Sequence, residues 1–146
     1  RHDIIEAVVN SNTSSVPEQL KSAKVLSAVS ESEEFKGITE ALNRVINISA
    51  KAQDDASGEI SEDRLETESE RNLVKAIQEL NAKVGSLTPE ELYSHLEAMA
   101  PKINDFFNEN MVMVDDEATR RNRLRFLGLL SEIILDLADF TSLIVK

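Results

Sequence analysis

Arg44, Asn47 and Lys51 carry groups that chemically suit RNA. A guanidinium forks onto phosphate oxygens or base edges, and a carboxamide reads a base edge. At 100° per residue the three fall together on one side of a helical stretch. Phe35, Ile38, Leu42, Val45, Ile46 and Ser49 occupy the opposite arc. The same pattern also describes the solvated face of an ordinary amphipathic helix, and spacing alone favours that plainer use.

A second cationic run, Arg120, Arg121, Arg123 and Arg125, is split by helical geometry. Arg121 and Arg125 fall on the arc of Glu132 and Asp136, a polar outer face open to RNA. Arg120 and Arg123 fall on the arc of Leu124, Leu127 and Ile134. Those two are expected to lie stem-down on the core with their heads in ion pairs, and Asp105, Glu109, Asp115 and Asp116 are the available carboxylates. Among the aromatic residues, Phe35 and at least one of Phe106 and Phe107 stand at core spacing, and Phe126 and Phe140 are expected to pack. Tyr93, off the stripe of Leu92 and Leu96, is the one ring expected to be accessible for base stacking.

No residue set for catalysis is visible: there is no nucleophile–base pair, phosphate-cradling glycine loop or dinucleotide fingerprint. The chain has no cysteine, which excludes disulfides and thiolate metal sites. His2 and His95 lack ligand spacing and read as surface residues. Asp54-Asp55 and Asp115-Asp116-Glu117 suit solvation and helix capping better than metal binding. No catalytic residue and no metal ligand is therefore assigned.

These groups must be held by helices. Glycine and proline are few, and apolar residues recur at spacings of three and four. A short helix is expected over 3–9, then a polar loop over 10–14. Ser15-Val16-Pro17-Glu18 reads as a capping box with proline near the start, opening a helix to about residue 29. Ser30 and Glu33 repeat the signature and predict a longer helix to about residue 52. The stretch 53–66, rich in Asp, Glu and Ser, reads as an exposed, flexible acidic linker with a turn near 60–65. Thr67 and Glu70 box the start of a helix to Val84, with Gly85 as its C′ residue. Thr88-Pro89-Glu90-Glu91 is the clearest start signal. Pro101 predicts a break or kink, followed by a short helix with Ile103, Phe106 and Phe107. The last helix is expected over about 116–139, capped by Asp115 or Asp116, and ends in an apolar tail at 143–145. The fold class is all-α, a single-domain bundle of six or seven helices over residues 1–146, with the final helix through the core.

A chain of 146 residues is long enough for a real core. Its formal net charge of −11 has the wrong sign for a general nucleic-acid binder, so any RNA contact must be local, and DNA is not an expected partner. No apolar run approaches the ~20 residues that span a bilayer, and no signal peptide is visible. No membrane contact is expected, and the protein reads as cytoplasmic. The first residue is Arg1, inside a helical pattern, which suggests a piece of a longer protein.

Phe106-Phe107, Met111-Val112-Met113-Val114, Asp115-Asp116, then Arg120, Asn122, Arg123 and Leu124 form a string that resembles the closing segment of the bacterial-type glycyl-tRNA synthetase β subunit. The last domain of that family looks like the "DALR" anticodon-binding helical domain of arginyl-tRNA synthetases. Ala41-Leu42, Arg44-Val45 and Asn47-Ile48 resemble a helix near the start of the same domain. The resemblance is strongest over 105–124, good over 41–51 and weak over 53–94. It implies that Arg44, Asn47 and Lys51 face the anticodon loop. It also implies that Asp115, Asp116, Arg120, Asn122 and Arg123 are architectural motif residues. Thr119 departs from the family's leucine, and weaker apolar packing is expected there. The implied function is binding of the glycine tRNA anticodon arm within a heterotetrameric ligase. Its α subunit would use ATP and glycine, and the domain itself would hold no cofactor. The rest of the β chain would be a further partner. The competing reading is an acidic helical module for protein–protein interaction.

Overall fold

Two of the helix starts are built from side chains that the sequence supplies in pairs. The Thr67 hydroxyl accepts the Glu70 N–H at 3.2 Å, while the Glu70 carboxylate accepts the Thr67 N–H. Thr88 and Glu91 make the same reciprocal bonds. A capping threonine of this kind contributes on the order of 1 kcal/mol. A third start is capped by Asp116, whose carboxylate accepts both the Thr119 N–H and, at 2.5 Å, the Thr119 hydroxyl. The apolar packing that a leucine would supply at Thr119 is thus replaced by a second bond into the cap.

The computed structural model describes residues 1–13, 15–51 and 58–143. Six α-helices follow in order: α1 His2–Val9, α2 Val16–Val29, α3 Phe35–Lys51, α4 Glu68–Lys83, α5 Pro89–Glu109 and α6 Glu117–Leu137. Short 3-10 turns occupy Glu62–Arg64, Val84–Ser86 and Phe140–Ser142. No strand occurs among the described residues. The expected acidic pair Asp54-Asp55, the first part of the 53–66 linker and the apolar tail beyond Leu143 lie outside the described residues.

Helix α6 runs through the middle. Leu124, Phe126, Leu127, Leu130 and Ile134 are fully buried, and the helix packs on α3, α4 and α5. Phe126 meets the edge of Phe106 from α5 with ring centroids 5.4 Å apart. Each such ring contributes roughly 1.5–3 kcal/mol by burial, and the edge-to-face contact adds about 0.5–1.5 kcal/mol. Helix α3 buries Phe35, Ile38, Leu42, Val45 and Ile46, the arc read from its periodicity.

Several local expectations are corrected. The box at Ser30 does not form. Its hydroxyl donates backwards to the Ser27 carbonyl at 3.0 Å, finishing α2, and α3 starts only at Phe35. Ser15 stands at the N-cap of α2 without a side-chain cap bond, leaving Pro17 as the start signal that acts. Pro101 does not break its helix, since α5 runs unbroken from Pro89 to Glu109. Pro101 and Glu97, the residue whose carbonyl loses its helical partner, both lie on the exposed side of the helix, where solvent can reach such a group. Gly85 does not take the left-handed conformation of a C′ glycine, because α4 tightens directly into the 3-10 turn. Where a flexible linker is expected, residues 58–66 are fastened to α6 and α4. The Asn122 carboxamide of α6 accepts the Ser61 N–H at 2.7 Å and donates to the Ser61 carbonyl at 2.9 Å. Ile60 and Leu65 lie half-buried on the core. The expected loop at the start of the chain is likewise held, with the Asn12 N–H and Thr13 hydroxyl bonded to the Leu135 and Asp136 carbonyls of α6.

Candidate nucleic-acid interface

The periodicity that buries one arc of α3 exposes the other. Arg44, Asn47 and Lys51 are all exposed there. None of the three side chains makes a hydrogen bond or ion pair among the described residues. Arg44 has one partner, a ring: its guanidinium carbon lies 4.2 Å from the centroid of Phe107 on α5. Lys51 sits in the last turn of α3, where the helix dipole favours a cation. The arrangement presents a fork, a carboxamide and an ammonium side by side, groups that bind phosphate and read a base edge.

The arginines of α6 are occupied differently. Arg123 is 4% exposed and fully engaged. Its Nε donates to Glu70 at 3.0 Å, one terminal nitrogen to the Met111 carbonyl at 2.5 Å and the other to Asn110 at 3.4 Å. Glu66 lies 3.5 Å away. Inward packing is as expected, but the carboxylate partners are Glu70 and Glu66 rather than Asp105, Glu109, Asp115 or Asp116. Glu70 can serve twice because it has two oxygens. One accepts the Glu66 and Thr67 N–H groups, and the other accepts Arg123. A capping glutamate that also anchors a distant helix leaves no local sequence signal. Asn110 closes the network through Ser69, Thr67 and the Phe106 carbonyl. Arg120 is half-buried and donates to the Val114 carbonyl at 3.2 Å.

Arg121 and Arg125 are half-exposed and both bind their own chain. Arg121 pairs with Glu117 one turn back at 2.7 Å. Arg125 donates to the Glu59 carbonyl at 3.2 Å and lies against Gly58. Gly58 has φ +104°, a backbone conformation that favours glycine, and a side chain there would sit 3.1 Å from the guanidinium, which would have to shift by a few tenths of an ångström. Both arginines stand on α6, and Arg125 lines one groove with Ile46, Ser49 and Ala50 near the end of α3.

Tyr93 is a correction: it is 4% exposed, not accessible. Helix α5 packs on α4, α2, α3 and α6, so residues that a single apolar stripe leaves outside are enclosed. Burial, then the carboxylates of Glu97 and Glu34, push its phenol up to about 12. Its hydroxyl has no partner among the described residues. The ring that reaches the surface instead is Phe107, half-buried beneath Arg44. Its partner comes from another helix, so periodicity along α5 cannot reveal it.

Asp115 and Asp116 are exposed. Hydrogen bonds from the Thr119 hydroxyl and then its N–H hold the Asp116 carboxyl below its ordinary range. Among the described residues no helix is long and apolar enough to cross a membrane.

The family described as the DALR anticodon binding domain matches residues 38–139, a span that holds the α3 trio and the α6 arginines. The chain is 34% identical over 145 residues to the glycine–tRNA ligase beta subunit of Pediococcus pentosaceus, covering 99% of this chain and 21% of that protein. It is 39% identical over 144 residues to the same-named subunit of Streptococcus pyogenes serotype M18, with 99% and 20% covered. For that of Lacticaseibacillus casei it is 36% identical over 146 residues, with 100% and 21% covered. The chain spans about a fifth of the length of these curated relatives.

Proposed function

The chain belongs to the DALR anticodon-binding domain family, and from that premise we propose that it binds the anticodon arm of glycine tRNA as part of a glycine–tRNA ligase β subunit. The observation that carries the reading is the exposed trio Arg44, Asn47 and Lys51, which has no ion pair among the described residues of a chain of net charge −11. Cations in such a chain have many carboxylates to pair with, and two on this face pair with none among the described residues. The domain positions tRNA and contributes to its identity. Aminoacylation, with ATP and glycine, belongs to the α subunit and lies outside this domain, which is inactive by itself. The rest of the β chain and the α subunit are its protein partners, and the cytoplasm is its compartment.

Titration of the full-length ligase with a glycine-tRNA anticodon stem-loop, beside a version with an altered anticodon, tests this. Preferential binding of the first, weakening steeply with salt, is expected. Equal binding of both, or none, overturns it.

A protein-docking role is the second reading. It is favoured by Ile5, Val9, Val16 and Leu20, which are 57–64% exposed at four-residue spacing on α1 and at the start of α2. Such a role would show neither salt dependence nor anticodon preference.

A further inference from the structure

Arg44 is fixed by a ring rather than by a carboxylate, although the chain carries 27 acidic residues. A guanidinium held by a ring alone spends none of its N–H groups on a carboxylate or a carbonyl. The ring itself is anchored. Phe107 meets Phe106 edge-on with centroids 5.2 Å apart, and Phe106 meets Phe126 in the same manner at 5.4 Å. Phe106 and Phe126 are fully buried. Three rings thus tie the ground beneath an exposed arginine to the centre of the core.

From this geometry we propose that Phe107 is a positioning residue for RNA. It holds the Arg44 guanidinium as a flat platform on which an unpaired base of the anticodon loop stacks, leaving the guanidinium edge for the adjoining phosphate. The proposal rests on the anticodon-arm reading and adds to it a residue of α5 and a mode of contact. Unpaired bases of RNA loops are held by stacking on aromatic rings and on guanidinium planes. A long side chain already held in place loses less freedom on binding than one that samples all its rotamers. Asn47, one turn further along α3, is placed to meet the edge of a base so stacked, and Lys51 follows one turn beyond it.

The test uses the full-length ligase and glycine tRNAs carrying the fluorescent base 2-aminopurine at each anticodon-loop position in turn. Affinity and emission are read together. For the parent, emission changes on binding at one position. Phe107→Leu keeps apolar bulk but removes the ring. Affinity is expected to fall about tenfold, as when one base loses its stacking partner, and the emission change to disappear. Phe107→Tyr keeps the ring and restores both. Arg44→Lys keeps the charge and loses the plane, so the emission change disappears while the salt dependence of binding stays. Arg44 is exposed, so this variant decides the matter even where Phe107→Leu fails to fold. If Phe107→Leu and Arg44→Lys both bind and report like the parent, the platform is overturned while the anticodon-arm reading stands. If the parent ligase itself shows no preference for the glycine anticodon loop, the reading beneath the proposal fails and the proposal fails with it.

Discussion

Arg123 and Arg44 are the same residue type put to opposite uses. Arg123 is buried, and each of its guanidinium nitrogens has a partner: Glu70, Met111 and Asn110. Arg44 is exposed, and its one partner among the described residues is the Phe107 ring. The difference is saturation. A guanidinium whose donors are spent inside the protein has nothing left for a ligand, whereas one held by a ring alone has no N–H committed to a carboxylate or a carbonyl. Membership of a motif does not make that distinction, because Arg123 lies in the string that most resembles the family and is still occupied with architecture.

Removing Arg123 gives the largest expected effect. Arg123→Ala leaves the Glu70 carboxylate buried with only its backbone donors. That costs about 3 kcal/mol, toward the lower end for breaking a buried pair because those donors remain. Chemical denaturation reads the change, and tRNA affinity of the protein that remains folded is expected to stay within about twofold of the parent. A large affinity loss at unchanged stability would exchange the roles of the two arginines.

The next effect is at Asn122, whose carboxamide holds both backbone groups of Ser61. Asn122→Ala is expected to cost about 2 kcal/mol, since two hydrogen bonds are removed at a buried site. Amide exchange over residues 58–66 should accelerate well before the rest of the domain. Uniform acceleration would mean that this segment is held by Ile60 and Leu65 instead.

On the α3 side, Asn47→Ala is expected to reduce discrimination between anticodons by about fivefold, the low end for a base-edge contact. The melting temperature should stay unchanged. Parallel tRNA titrations with two anticodons check it, and an equal loss for both would make Asn47 a backbone contact.

The smallest effect concerns the α6 cap. The Asp116 carboxyl lies below its ordinary value of 3.8 in the folded protein. Its contribution to stability is therefore present above that value and lost as the pH falls through the folded one. Asp116→Asn should melt slightly below the parent at neutral pH, and the gap should close in strong acid. A gap independent of pH would show that the charge on Asp116 is irrelevant to the cap.

The legible parts of this fold were local. Thr67 with Glu70, Thr88 with Glu91, and Asp116 announce helix starts within four residues, and each bond forms. The arc of α3 that faces inward, and the inward turn of Arg123, follow from 3.6-residue geometry alone. What stayed hidden depends on neighbours distant in sequence. Glu70 reaches Arg123 from another helix, Phe107 lies under Arg44 because α5 packs beside α3, and Tyr93 is covered because α5 is enclosed on several sides. Ser30 misleads for a different reason: a serine hydroxyl between two helices can close the first or open the second, and here it closes the first.

The most direct test of RNA binding by the outer face of α3 is the salt dependence of glycine-tRNA binding by the full-length ligase carrying Arg44→Glu and Lys51→Glu together. Binding about tenfold weaker at low salt is expected, with the log–log salt slope flattened by roughly one unit for each phosphate no longer held and the melting temperature unchanged. An unchanged affinity and an unchanged slope would contradict this, and would mean that the outer face of α3 is simply solvated.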